Sequence, residues 1–310
     1  MILADYFYAE HDIMWDYAKQ CGVEGAVVRL PEDGRFDVTD REHWRSIYDR
    51  FMSFGIRPVV IEPMPNELHS HIKTGDKKCD ESIEKVIKMF PHMRDFGINT
   101  ICFNWMAHIG WLRTSYSIPE RGGALVTGFD IDNFIPSDKA ITSDQLWNNY
   151  RYFINAVMPY ADKYGIRLAL HPDDPPLDRL GNVERIMISK ENIKKAMDMY
   201  KSPNLGITMC QATYYMMGED VYSTIEELSK KIFFVHFRNA VGTKTNFHET
   251  FHDNGAIDMK RAIELYKKYT PNVPIRVDHV PLMAGESQKT AGYTALGRLF
   301  AIGYLKGLMK

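Results

Sequence analysis

Short apolar, β-branched runs alternate with longer amphipathic stretches along the whole chain. This alternation predicts strands of a parallel sheet connected by helices that cover it. The apolar runs place strands at Ile2–Phe7, Gly25–Leu30, Arg57–Glu62, Asn99–Asn104, Ile166–His171, Asn204–Met209, Ile232–Phe237 and Ile275–Asp278. The amphipathic stretches place helices near 12–20, 40–54, 80–95, 144–164, 189–200, 220–231, 258–268 and 290–308. Polar caps at Thr39/Asp40, Asp80, Ser143/Asp144, Ser189 and Asp258 signal helix starts, and Gly22, Gly55, Gly97 and Gly165 signal ends. Eight strands, each followed by one helix, make an α/β chain folded as a single (β/α)8 TIM barrel over residues 1–310 the economical arrangement. An open doubly wound sheet would want a glycine-rich turn after the first strand, where the chain reads FYAEHD.

One connection breaks the rhythm. From Trp105 to Thr142 the chain contains no predicted helix or strand but carries Trp111, Arg113, Tyr116, Gly122, Gly123, Phe129 and Phe134. Connections of this length are usually functional lids or disordered. The aromatic content predicts an ordered, lid-like loop over the fourth strand.

Composition narrows the partners. The 310 residues are 45% hydrophobic and 25% charged, which suits a chain with a large buried core and excludes a disordered one. With 38 Lys and Arg against 40 Asp and Glu, the net charge of −2 offers no field for a polyanion, and nucleic acid is not expected. Cys21, Cys79, Cys102 and Cys210 are widely separated with no C-x-x-C pair, in keeping with a reducing cytoplasm. The opening MILADYFYAEHD has no basic lead-in, and no apolar run approaches the roughly 18 residues that span a bilayer. Neither a membrane association nor export is expected, and the expected location is cytoplasmic.

In such a barrel the site is assembled from the C-terminal ends of the strands. Strand five ends in LALHPDDPP with His171, strand six in GITMC with Cys210, strand seven in FFVHFRN with His236, and strand eight in IRVDHVP with Asp278. Their separations of 39, 26 and 42 residues are of the order of one strand–helix unit, so the four can converge. Two imidazoles, a thiolate and a carboxylate suit Mn²⁺, Fe²⁺, Co²⁺ or Zn²⁺. Singly, the histidines read as hydrogen-bonded core residues and the cysteine as a small buried hydrophobe; four together, on consecutive strands, read as a metal site.

Other strand ends offer Tyr8, Glu62 and Asn104. Arg238, just past strand seven, and Arg113, in the long connection, have the planar fork that grips a carboxylate with two bonds. His248, Glu249 and His252 spell H-E-x-x-H, a zincin signature that requires a helix. Here the pattern lies between VGTKTN and DNG, which predicts a loop crossing the barrel mouth.

These segments resemble the D-mannonate dehydratase family, metal-dependent lyases of the xylose-isomerase-like barrel class. The resemblance is carried by ALHPDDPP from Ala169, GITMC, FFVHFRN, FHETFH with Gly255 and Asp258, VDH, and GYTALGRLFAIGYLKGL, with FNWM near Asn104 and WLRT around Arg113. It covers most of the chain beyond about residue 55. After Cys210 the chain reads QATYYMMGED, where the family has a Thr/Gly/Ser-rich turn, and the family's W-Y-G opening is absent.

The resemblance implies metal ligands at His171, Cys210, His236 and Asp278, proton transfer at His279 and Tyr293, and a substrate-side place for His248, Glu249 and His252. Tyr8, Glu62, Asn104, Arg113 and Arg238 complete the expected substrate wall. It further implies one divalent metal, Mn²⁺ or Fe²⁺, a small-molecule sugar acid as partner, and dehydration of D-mannonate to 2-keto-3-deoxy-D-gluconate within hexuronate degradation. A homo-oligomer is compatible with the sequence. The alternative reading is a metal-dependent sugar isomerase or epimerase of the same barrel class. Such relatives generally use more carboxylates and no cysteine, so Cys210 counts against it.

Overall fold

The computed structural model describes residues 1–287 and 291–310. Eight parallel strands close a barrel: β1 (Ile2–Tyr8), β2 (Gly25–Arg29), β3 (Arg57–Ile61), β4 (Thr100–Asn104), β5 (Arg167–His171), β6 (Leu205–Cys210), β7 (Ile232–Phe237) and β8 (Pro274–Val277). Each pairs with its sequence neighbours, and β1 closes on β8 through Ile2–Pro274, Leu3–Ile275 and Ala4–Arg276. The strands predicted from the apolar runs are these eight, with ends differing by a residue or two.

Alternation along each strand divides the interior into two layers. Ala4, Val27, Val60, Cys102, Ala169 and Phe234 cluster inside the barrel, while Leu3, Phe7, Ile101, Leu168, Leu170 and Val235 join the larger core beneath the helices. The same period positions the site. Two residues beyond Ala169 comes His171, two beyond Cys102 comes Asn104, two beyond Phe234 comes His236, and Asp278 follows Arg276 by two. An inward residue in the barrel's packed layer is thus followed by a polar group at its C-terminal mouth.

Several predicted caps fall in place. The side chains of Asp40, Ser189 and Asp258 accept from the backbone N–H groups of Glu42, Asn192 and Arg261, and Gly55 and Gly165 end their helices at φ 82° and 68°. Two starts differ. Asp80 lies in the first turn of Cys79–Asp95 and does not cap it, and Thr142, in a capping box with Gln145, replaces Ser143/Asp144. One helix per strand also needs correction, because Asn66–Thr74 and Gln211–Met216 are additional helices after β3 and β6. Both are short enough to escape a periodicity search. The expected start of the last helix at 290 lies outside the described residues; the helix runs Ala295–Met309.

The long connection after β4 contains a strand pair, Ser115–Pro119 and Leu125–Asp130. The latter also pairs with Asn246–Glu249, itself paired with Ala240–Thr243 from the segment after β7, giving a four-stranded antiparallel sheet. Gly128 permits that close approach, since a Cβ there would sit 2.8 Å from the Phe247 carbonyl oxygen. Among the described residues, no helix is long and apolar enough to cross a membrane.

Candidate active site

A cavity of about 560 Å³ opens at the C-terminal mouth. Its lining includes Tyr8, Glu62, Asn104, His171, His236, Asp278, His279 and Tyr293 from the expected set, together with Trp111 from the long connection.

Ligand atoms of His171, Cys210 and His236 all lie within 4.8 Å of one another. The backbone partner of His171 assigns its tautomer. His171 Nδ1 lies 2.6 Å from the Pro172 carbonyl, which can only accept, so Nδ1 carries the hydrogen and Nε2 a lone pair. His236 Nε2 lies 2.8 Å from Glu62 Oε1, an ion-pair contact outside hydrogen-bond geometry. His171 Nε2 faces His236 Nδ1 at 3.2 Å. A bare imidazole nitrogen, a second imidazole and a cysteine sulfur converging within 4.8 Å are donor types that hold a divalent ion, so the donor set fits one. Burial pushes the His171 ring below its usual range against the pull of Glu62 and Asp278, which favours the neutral, ligating form.

Cys210 Sγ accepts from Arg238 Nε at 3.2 Å and from Thr213 Oγ1 at 3.1 Å. These are second contacts of the kind that orient a metal-bound thiolate. Asp278 Oδ1 accepts from Arg276 Nη1 at 2.7 Å and from the Tyr293 hydroxyl at 3.2 Å. Its other oxygen lies 3.6 Å from His236 Nδ1 and thus faces the cluster. Burial opposes ionisation of Asp278, but Arg276, His279, His236 and Arg238 outweigh it and hold the carboxyl well below its usual range.

Glu62 shares a second cluster with Cys102 and His236. Both of its oxygens are occupied by Arg276, at 2.9 and 3.1 Å. Arg276 and His236 hold Glu62 ionised despite its burial. Glu62 therefore orients His236 and Arg276.

The two arginines expected to grip a substrate carboxylate grip the protein's own. Arg113 binds both oxygens of Asp174, at 2.7 and 3.1 Å, and reaches Glu249 at 2.5 Å. Arg238 reaches Asp174 at 2.5 Å and also contacts Glu249 and Thr213. Neither arginine lines the cavity. Together they form a buried network behind His279, whose Nδ1 lies 3.0 Å from Glu249 Oε1 and 2.8 Å from Arg238 Nη1.

The H-E-x-x-H segment is not helical. His248 and Glu249 sit on a strand, on opposite faces, with Glu249 buried and held down to about 2, burial being outweighed by Arg238, His279 and Arg113. His252 donates from Nε2 to the Phe237 carbonyl at 2.8 Å. Neither His248 nor His252 lines the cavity, and the zincin geometry is absent.

Tyr293 precedes the last helix by two residues rather than starting it. His279 has φ 33°, a left-handed backbone that costs a non-glycine residue about 1–3 kcal/mol and tends to occur at functional sites. Its ring lies 4.9 Å from Trp111 and 5.4 Å, edge-on, from Tyr293. Sequence reasoning passes over Arg276, although its place two residues before Asp278 on one strand face was a usable signal. It also passes over Lys73, which belongs to the unanticipated helix Asn66–Thr74 and lines the cavity.

Nitrogen and sulfur donors converging at the mouth of a (β/α)8 barrel, with a phenol and an imidazole beside them, place the chain in the class of metal-using barrel enzymes. More particularly, the chain belongs to the D-mannonate dehydratase family and is a hydro-lyase of that family. The family model described as D-mannonate dehydratase (UxuA) matches residues 1–140 and 131–310. Mannonate dehydratase 2 of Halalkalibacterium halodurans is 28% identical over 340 aligned positions, covering 98% of this chain and 96% of that protein. Mannonate dehydratase of Streptococcus equi subsp. zooepidemicus is 32% identical over 287, covering 82% and 78%. The crystal structure of mannonate dehydratase from Streptococcus suis serotype 2 superposes with a TM-score of 0.89 at 27% identity, over 100% of this chain and 92% of that one. D-Psicose 3-epimerase from Clostridium cellulolyticum H10, at 10% identity and a TM-score of 0.63 over the whole of both chains, shares the fold alone.

Proposed function

We propose that the chain converts D-mannonate to 2-keto-3-deoxy-D-gluconate and water, with His171, Cys210, His236 and Asp278 holding one Mn²⁺ or Fe²⁺ and with His279 and Tyr293 moving the protons. The observation that carries this is the convergence, in one cavity, of the facing histidines with the Tyr293–Asp278–His279 cluster. A divalent ion in that site supplies Lewis acidity toward substrate oxygens, which offsets the charge that builds when a proton leaves carbon beside a carboxylate.

The chain's residues supply the rest. Ionised Glu249, 3.0 Å from His279 Nδ1, favours a hydrogen there and a lone pair on Nε2, whereas the Arg238 Nη1 donor 2.8 Å from the same Nδ1 favours the opposite tautomer and must give way for Nε2 to accept a proton. That nitrogen is the base for the C2 proton. Burial raises Tyr293 well above the usual tyrosine range, with Asp278 adding to the effect, so its hydroxyl stays protonated and serves as the acid. Bond by bond, the C2 hydrogen goes to His279 as a proton, the C2–H electron pair forms the C2–C3 double bond, and the C3–O bond breaks. The departing oxygen takes the Tyr293 proton and leaves as water, and the enol becomes the keto acid.

The four free cysteines support a reducing compartment such as the cytoplasm. The decisive experiment incubates the metal-loaded protein with a panel of hexonates and pentonates and assays 2-keto-3-deoxy acids. D-Mannonate is expected to give product, and chelation by EDTA to abolish it until Mn²⁺ or Fe²⁺ is restored. Conversion of aldoses to ketoses, with no keto-deoxy acid from any aldonate, would move the chain to the isomerase reading.

A further inference from the structure

With Arg113 and Arg238 occupied by Asp174 and Glu249, the cavity's remaining cations identify what receives the anionic end of a sugar acid. Four basic side chains line it: Arg29, Lys73, Arg276 and Arg298. Arg276 is bound by Glu62 and Asp278, Arg298 by Asp5 at 2.5 Å, and Arg29 lies 3.6 Å from Glu32. Lys73 differs. Among the described residues no carboxylate comes within ion-pair distance of it, and the partner of its ammonium is Asn104 Oδ1 at 3.3 Å. An ammonium has three donors, so two are left for a ligand.

We infer that the Lys73 ammonium binds the substrate's carboxylate. The inference rests on the dehydratase reading above and adds a residue to it. Lys73 is buried, with 6% of its surface exposed, so its charge is shielded from bulk solvent and from salt. Its place in the last turn of Asn66–Thr74 suits a cation, and Asn149 Nδ2 fixes its backbone by donating to the Lys73 carbonyl at 2.9 Å. Asn104 is the register partner of His171 across β4 and β5, so the ammonium is tied to a strand end directly beside the metal cluster. Burial brings the lysine down to about 8; Asp173 acts to raise it and Arg185 to lower it. A carboxylate docking beside the ammonium would favour its charged form.

The test compares D-mannonate with its neutral counterpart, D-mannonamide, as ligands of the metal-loaded wild type and of Lys73→Met, by calorimetry and by competitive inhibition. A charge-assisted contact of this kind predicts that the acid-over-amide preference falls by about 10- to 100-fold in Lys73→Met, with amide affinity and metal content changed less than about twofold. In turnover, KM for D-mannonate should rise more than kcat falls, and Lys73→Arg should recover part of the loss. Lys73→Gln, which keeps a donor to Asn104, provides the same readout should the methionine variant fail to fold. An unchanged acid-over-amide preference, even with both affinities lowered together, would overturn the assignment and make Lys73 a hydroxyl contact or a packing residue. Absence of aldonate turnover in the wild type would instead overturn the dehydratase reading, and the Lys73 inference with it.

Discussion

The Tyr293 hydroxyl donates to Asp278 Oδ1 at 3.2 Å, the same oxygen that Arg276 binds at 2.7 Å. One carboxylate thus anchors the phenol through one oxygen and turns the other toward the histidine cluster. The proposed acid is hydrogen-bonded directly to a proposed metal ligand, which fixes the separation of the two.

Replacing Tyr293 by Phe keeps the ring against Tyr6 and His279 and removes one oxygen. Turnover should fall by about 10²- to 10⁴-fold while metal content and folding persist. Deuterium incorporation at C2 of D-mannonate in heavy water distinguishes the roles. Exchange retained without product is the expected outcome for an acid, and loss of both would make Tyr293 the base. Near-normal turnover would return it to a packing role.

Cys210→Ser and Asp278→Asn should each lower divalent-metal affinity tenfold or more with the barrel still folded. Glu249→Gln should keep its metal, because Glu249 touches His279, Arg113 and Arg238 and none of the proposed ligands. Elemental analysis after dialysis, alongside circular dichroism, checks both. Undiminished metal in the first two variants would refute the ligand set.

The network behind His279 also sets a stability cost. Arg113 is fully buried between Asp174 and Glu249, so Arg113→Met leaves two buried carboxylates each short of a partner. Loss of about 3–5 kcal/mol in urea unfolding is expected, with part of it recovered when Asp174→Asn is added. A loss below about 1 kcal/mol would mean that water or Arg238 compensates.

His252 gives a pH dependence of known sign. Burial lowers its ring to about 4, from 6.5 for a free histidine, against the upward pull of the Phe237 carbonyl. Between those values the unfolded chain binds the proton and the folded one does not, so stability falls as pH drops from about 6.5 to about 4. The full contribution is present above 6.5, and its total is about 3 kcal/mol. Unfolding curves of wild type and His252→Gln across this window should converge as pH falls. A constant gap would show that His252 is not the titrating group.

The residues' order along the chain determined the barrel and the strand ends from which its mouth is built. Burial on both faces makes each strand a short apolar run, and the polar residues at the ends of four consecutive strands made His171, Cys210, His236 and Asp278 legible as one set, of which His171, His236 and Asp278 line the cavity. Family-like strings added His279 and Tyr293, which no spacing rule selects. Partners remained hidden, because salt bridges join residues far apart in sequence: Arg113 with Glu249, and Arg276 with Glu62. A guanidinium suited to a substrate carboxylate is equally suited to a protein one, and only packing decides which it meets. The same holds for Lys73, whose helix is too short for periodicity to mark and whose charge matters only because the folded chain leaves it facing the cavity without a carboxylate. The H-E-x-x-H pattern reads as a zincin in one dimension; pairing with Leu125–Asp130 makes its first two residues a strand and sends His248 and Glu249 to opposite faces.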